Sequence, residues 1–353
     1  MYSVGIDLHK ETAWYCVLDA QGRRVSHGRL TASPGCFKAF FKSVPRPFKV
    51  AVEATYNWYY VVDIAEEYAE EVYLADSYQV KAFAKKHKKN DKIDAGLIAW
   101  LLQRGDLPTA AIPDKETRKQ REVLRYRMKV VSDKTRNIAR LKALLDKLGL
   151  EGTGNLNTIT RREEIEQMEI PVPYAEIVKR YLVRIEQLCD EVRLVDKAII
   201  QLASDDQDAM NIRSVHGFDY FSALLIKTEI FDVSRFRSFP RLCAYSGLAP
   251  RVHASGGHCY HGPLNTNRRR YLQWILLENS WHTMRKIPRL QRKYETIKKR
   301  KGSNTAKVAV ARDVLKIIYH VLKEKRPFYP ELTVPNDKAA HSQPAGAPAL
   351  VGV

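Results

Sequence analysis

The chain has 353 residues, 45% of them hydrophobic, with 59 Lys and Arg against 40 Asp and Glu, a formal net charge of +19. That length supports two or three domains with a sizeable core. The cationic excess favours a polyanion, nucleic acid before a membrane surface, for which no amphipathic terminal helix speaks. The five cysteines, Cys16, Cys36, Cys189, Cys243 and Cys259, are scattered and odd in number, which argues against a disulfide framework and for a reducing compartment. The start of the chain carries no charged leader, and no stretch reaches transmembrane length, so a soluble, intracellular protein without membrane partners is expected.

Residues 2–8 read as a strand, residues 13–18 as a second, and residues 24–30, after the turn chemistry of Asp19-Ala-Gln-Gly22, as a third. Residues 33–44 read as a helix, with Ser33 as N-cap and Pro34 in the first helical position. A strand at 48–53, a helix at 57–69, a strand at 71–75 and a helix at 91–104 follow. Three meandering strands, then alternating helix and strand, is the order of a ribonuclease-H-like (RuvC-like) α/β fold. The sugar-kinase/actin fold begins similarly but requires a second copy of the unit and a Gly-rich phosphate loop, which the sequence lacks.

Four acidic residues stand out within that order. Asp7 interrupts the first apolar strand and Glu53 ends the fourth. Asp91 and Asp94 open the helix at 91–104, three apart and hence on one face. A carboxylate inside a buried strand is expensive unless a cation offsets it. Several aimed at one point form a hard oxygen cage suited to Mg²⁺. In a chain this basic, the substrate that fits such a cage is a phosphodiester. His9 and Lys10 directly follow the first strand, where Lys10 could meet substrate phosphate and His9 could do the same or cap the strand end.

The middle of the chain is helical. Leu124, Val131, Ile138 and Leu145 recur every seven residues, and Val178, Tyr181, Ile185, Leu188, Val192, Val195, Ile199 and Leu202 alternate spacings of three and four. This is a coiled-coil seam, open to two readings: a hairpin within the chain or an oligomerisation arm. Arg118, Lys119, Arg121, Arg125, Arg127 and Lys129 crowd the first of these helices, as a solvated face or as a track for a phosphate backbone. Further on, Ser214-Val-His-Gly-Phe-Asp219 and the apolar run after it resemble the opening of a helix-hairpin-helix, whose glycine lets backbone N–H groups approach a phosphate. Residues 333–353 have the composition of a disordered tail. The expected division is 1–106, an α/β catalytic domain; 107–205, a helical linker; 206–332, a mainly helical third domain; and 333–353, the tail.

A second chemical locus lies in the third domain. Residues 250–263 form a polar, glycine-rich loop in which Ser255 precedes Gly256 and Gly257. Glycines there leave the hydroxyl accessible and let the backbone close on an oxyanion. Arg268, Arg269 and Arg270 follow at the mouth of the next helix, where guanidinium groups and a helix N-terminus both favour phosphate. A serine nucleophile needs its proton removed and the charge on the attacked group neutralised, and a carboxylate-held metal and these arginines could supply both. An isolated Ser-Gly-Gly also fits a flexible loop. Tyr260 is a rival nucleophile. His253, His258, Cys259 and His261 do not match zinc-finger spacing.

Val4-Gly-Ile-Asp-Leu-His-Lys10, Val52-Glu-Ala-Thr-Tyr56, Lys89-Asn-Asp-Lys-Ile-Asp-Ala95, Tyr245-Ser-Gly-Leu-Ala-Pro-Arg251 and Ala254-Ser-Gly-Gly257 together resemble the DEDD-type transposases of bacterial insertion sequences. The likeness spans roughly residues 2–330. It implies that Asp7, Glu53, Asp91 and Asp94 hold Mg²⁺, that Ser255 is the nucleophile, and that recombination passes through a covalent phosphoserine–DNA intermediate. It further implies donor and target DNA as partners, a structured guide RNA, a homo-oligomer of two or four chains, and a place in the bacterial cytoplasm at the nucleoid. Arg251, Arg268, Arg269, Arg270 and Lys10 are the expected nucleic-acid contacts. The chain departs from the family at Val215-His-Gly-Phe218, where Pro-Gly-Ile-Gly is usual. Two alternatives stay open: a metal-dependent junction nuclease in which water attacks, and a non-catalytic nucleic-acid-binding scaffold.

Overall fold

The structure, a computed structural model, describes residues 1–84, 91–150, 154–255, 258–265 and 268–329. The expected tail at 333–353 lies outside them. The chain forms two compact units that divide between Asp114 and Lys115.

The first unit runs β1 (Tyr2–Leu8), β2 (Thr12–Leu18), β3 (Arg24–Thr31), α1 (Pro34–Ser43), β4 (Phe48–Glu53), α2 (Tyr59–Ala65), β5 (Glu71–Ala75), α3 (Ser77–Ala84), α4 (Asp91–Arg104) and β6 (Thr109–Ala110). Its sheet is mixed, in the order β3-β2-β1-β4-β5-β6. The β1–β2, β2–β3 and β5–β6 pairs are antiparallel, and β1–β4 and β4–β5 are parallel. The expected boundary at 106 falls before β6, the strand that completes the sheet. The Ser33 hydroxyl accepts from Cys36 N at the start of α1, with Pro34 in its first turn.

β1 is buried from Ser3 to Leu8 because both sheet faces are covered. Val4, Ile6, Leu8, Val50 and Val52 pack with Phe37, Phe41 and Val61 on one side. Ala51 packs with Ile98, Leu101 and Leu102 on the other, where Cys16 and Leu18 also meet Ala95 and Ala99. Gly5 lets α4 touch the strand: a Cβ there would lie 2.3 Å from Ala95 O and 2.4 Å from Ala99 N.

The second unit contains α5 (Lys115–Lys147), α6 (Ile159–Glu166), α7 (Tyr174–Ser204), α8 (Gln207–Arg213), α9 (Tyr220–Ile230), α10 (Phe239–Tyr245), the antiparallel pair β7 (Pro250–Ser255) and β8 (His258–Leu264), α11 (Arg270–Lys286), α12 (Pro288–Lys301) and α13 (Ser303–Glu324). α9 is its axis, buried from Phe221 to Ile226 and again from Thr228 to Ile230. Asp219 caps it, accepting from Ser222 N while the Ser222 hydroxyl accepts from Asp219 N. Helices α5 and α7 pair antiparallel within the chain. Leu141 and Leu145 near the end of α5 cluster with Val178, Leu182 and Ile185 near the start of α7, while Leu124 packs with Ile199 and Ala203 at the opposite end.

One expectation changes here. The cations of α5 are not one phosphate track. Arg118 and Arg121 are buried, and both Nε and Nη2 of Arg121 donate to Thr228 O, at 2.9 and 2.6 Å. Burial pushes the Arg121 guanidinium below its ordinary pKa, and the charge of Glu229 opposes that shift. Arg127 bonds Asp196 and lies 4.2 Å from the centre of the Phe221 ring, Lys119 bonds Glu116, and Arg125 bonds Glu122. Gly217 is exposed, yet one side of it packs closely on α11. Its φ is +92°, and a Cβ would lie 2.8 Å from His282 Cβ and 3.0 Å from Thr283 N, while Thr283 Oγ1 donates to His216 O at 2.7 Å. This glycine permits close approach of the turn to α11, a packing role.

Candidate active site

In the first unit, Asp7 and Glu53 stand at the ends of neighbouring strands on one face of the sheet. Asp7 lies two residues beyond Gly5, so it faces α4. Glu53 lies two residues beyond Ala51, which packs under Ile98, so it shares that face. The last parallel pair is Ile6↔Val52, which makes Asp7 and Glu53 the next residues on neighbouring strands. α4 runs antiparallel to β1. Its Gln103 Nε2 donates to Asp19 O and Ala20 O at 3.3 and 3.1 Å, beyond Leu18, which pairs with Ser3 at the other end of β1. Two strand residues cover about 6.6 Å, or roughly four helix residues at ~1.5 Å each. Moving that far from the Ala95–Ala99 contact brings the first turn of α4, where Asp91 and Asp94 sit, over Asp7. A helix N-terminus favours carboxylates, so the sequence and the dipole agree.

Asp7 is buried and Glu53 and Asp94 are half-buried. Asp91 begins α4, and its side chain lies outside the described residues. Among the described residues, no three His, Cys, Asp or Glu side chains stand close enough to hold a metal ion. Asp7 Oδ2 lies 3.3 Å from Nε2 of the partly exposed His9. Asn57 Nδ2 donates to His9 O at 3.0 Å, and Asn57 Oδ1 accepts from the Thr55 hydroxyl at 2.9 Å. The loops after β1 and β4 are thus tied together beside the acids. This tie was not legible in the sequence, because a single Asn in the five-residue loop between β4 and α2 has no periodic signature. Lys10 is exposed in the β1–β2 turn.

Ser255 belongs to the second unit. β7 and β8 pair antiparallel where a glycine-rich loop was expected. Gly-Gly between two extended runs is a hairpin signal, weakened here because the flanking residues are polar. Ser255 is the last residue of β7 and pairs with His258, and His253 pairs with Tyr260. Gly256 and Gly257, and the side chains of 252–261, lie outside the described residues.

The root of the hairpin is braced. Gln273, buried on α11, donates from Nε2 to Gly247 O at 2.7 Å. Gly247 has φ +76°, and a Cβ there would lie 2.4 Å from Arg268 Cβ. Tyr245 donates its hydroxyl to Glu229 O at 3.0 Å, and the Arg269 guanidinium lies 5.2 Å from the centre of its ring. Arg268, Arg269 and Arg270 are all exposed, with Arg269 as N-cap and Arg270 as first residue of α11. Arg251 is exposed on β7. In the sequence, Tyr245 opens the family-like stretch 245–251, while Gln273 carries no signal of its own.

Two family models match the chain. Residues 4–149 match a model described as a transposase, of the DEDD type found in IS110 elements, and residues 209–295 match one described as transposase of the IS116/IS110/IS902 family. The chain is 23% identical to a probable family 20 transposase of Pseudomonas aeruginosa over 93% of its own length and 98% of that protein's. It is 23% identical to the transposase for insertion sequence element IS1111A of Coxiella burnetii, over 92% and 90% of the two chains. It is 24% identical to the transposase for insertion sequence element IS1328 of Yersinia enterocolitica, over 72% and 75%. Both ends of the chain thus match transposases, which are DNA recombinases. The chain belongs to the IS110 family of transposases. DNA is therefore a partner. No described helix is long and apolar enough to cross a membrane.

Proposed function

We propose that this transposase cuts and rejoins DNA by serine chemistry supported by a carboxylate-held divalent ion. The observation that carries the reading is the buried Asp7 carboxylate, on the same sheet face as Glu53 and beneath the first turn of α4. Burying a carboxylate is costly even beside the partly exposed His9, and an ion held by Asp7, Glu53, Asp91 and Asp94 would offset that cost. The donors are all hard oxygens, which suits Mg²⁺. When bound, such an ion polarises a phosphoryl oxygen. The sheet order β3-β2-β1-β4-β5 supports a ribonuclease-H-like first domain.

Ser255 Oγ attacks the scissile phosphorus, forming a P–O bond to serine while the bond to one deoxyribose oxygen breaks. The proton leaves Oγ, and one proton is taken up by the departing sugar hydroxyl. A sugar hydroxyl of another strand then reverses the step, so the phosphodiester count is conserved and no ATP is required. Arg268, Arg269 and Arg270 at the start of α11 offset charge on the phosphoryl oxygens. Arg251 and Lys10 contact the backbone. The division 1–106, 107–205 and 206–332, the coiled-coil nature of the α5–α7 pair, a structured guide RNA, a dimer or tetramer, and a place at the nucleoid belong to the same reading. They are carried by the family likeness and by the net charge of +19.

Trapping a protein–DNA adduct under denaturing conditions tests it. The wild type should yield the adduct, and Ser255→Ala, Asp7→Asn and Glu53→Gln should not. Strand cutting that persists in Ser255→Ala would instead indicate a nuclease that uses water.

A further inference from the structure

We infer that the outer arc of α12 is a docking face for the sugar-phosphate backbone of duplex DNA. Residues 285–301 hold nine Lys and Arg and one acid, Glu295. Three of the nine are engaged: Lys293 Nζ lies 2.8 Å from both Asp313 oxygens, Arg285 lies over Trp281, and Lys298 over Tyr294. Lys286, Arg289, Arg292, Lys299, Arg300 and Lys301 are exposed and have no acidic partner among the described residues.

A solvated helix usually mixes its signs, and α5 does so. Lys119, Arg125 and Arg136 each bond an acid three residues away. On α12, like charges three and four apart repel one another, which destabilises the helix unless an anion neutralises them. Leu290, Tyr294 and Ile297 anchor the opposite side of α12 in the core of the second unit. At about 100° per residue, Arg289, Arg292, Lys299 and Arg300 fall within an arc of roughly 100°, along roughly 16 Å of helix. The arc is therefore a rigid, single-signed strip.

The strip has the chemistry of backbone contact. It carries no exposed aromatic ring on which an unpaired base could stack, since Tyr294 is buried. Duplex DNA presents about one charge per 1.7 Å of axis, dense enough to meet every cation of the arc. The inference rests on the transposase reading for its partner, and is independent of the metal site and of Ser255.

The test is equilibrium binding of the full chain to a labelled random-sequence DNA duplex across a salt series, with chelator present so that nothing is cut. Arg289→Gln, Arg292→Gln, Lys299→Gln and Arg300→Gln combined should lower the slope of log affinity against log salt by about three to four, at ~0.9 per phosphate. The charge-retaining set Arg289→Lys, Arg292→Lys and Arg300→Lys should keep the slope. Lys179→Gln, Arg180→Gln, Arg184→Gln and Lys197→Gln on α7 should also keep it, as a control for net charge. Arg292→Glu alone, should the fourfold variant misfold, is expected to lower the slope by about one or more. An unchanged slope in the α12 variants, an equal loss in the α7 set, or a loss confined to a structured RNA probe would overturn the inference. Ser255→Ala should bind with the wild-type slope, so a failure of the serine mechanism cannot be mistaken for a failure here.

Discussion

Gly5 and Ala95 touch through backbone alone: a Cβ on Gly5 would lie 2.3 Å from the Ala95 carbonyl oxygen. Neither backbone can yield without moving α4 off the sheet. Gly5→Ala should therefore cost about 1–3 kcal/mol, as overpacking does, read as a lower urea midpoint. It should also reduce strand transfer by more than the stability loss explains, because α4 carries Asp91 and Asp94. An unchanged midpoint together with full activity would show that the helix does not rest on β1.

Asp7→Asn separates a catalytic carboxylate from a structural one. The amide keeps the shape and removes a buried charge that faces the same side as Glu53. The contact with His9 is lost, but the His9 side chain is partly exposed and water can replace the partner it loses. Activity should disappear while the melting temperature stays or rises. Added Mg²⁺ should stabilise the wild type by mass action and leave Asp7→Asn unmoved. A stability loss beyond about 2 kcal/mol, the range of a broken buried network, would make Asp7 structural.

Arg121→Met measures how far the α5 cations serve the core. The side chain gives two hydrogen bonds to Thr228 O and sits near the buried Glu229. Its removal leaves a carbonyl and a carboxylate uncompensated, at about 3 kcal/mol. A solvated cation would cost under about 0.5 kcal/mol. Denaturant titration distinguishes the two.

Gln273→Ala should leave Gly247 O buried without its partner and cost about 1–3 kcal/mol. The hairpin that ends at Ser255 loses its brace, so the yield of covalent adduct should fall while affinity for a DNA duplex is kept. Equal losses in both measurements would point to general unfolding of the second unit.

The strands and helices of the first unit were legible because their signals are local. Alternation over 2–8 and 48–53, the Ser33-Pro34 start and the apolar spacing of 91–104 each depend on neighbours a few residues away. β6 and α3 were missed, one being two residues long and the other only eight. The β7–β8 hairpin was missed because its residues are polar, although Gly-Gly marked its centre.

By itself, the chain order determined the main strands of the sheet, the edge to which Asp7 and Glu53 are carried, and the helices α5 and α7. These follow from side-chain period along a single segment. Tertiary structure alone decided that Arg121 is a core bond while Arg289 and Arg292 face water, that Gly217 serves packing, and that α4 runs back over β1. A cation's role depends on what distant residues place beside it, and no spacing within one helix contains that information.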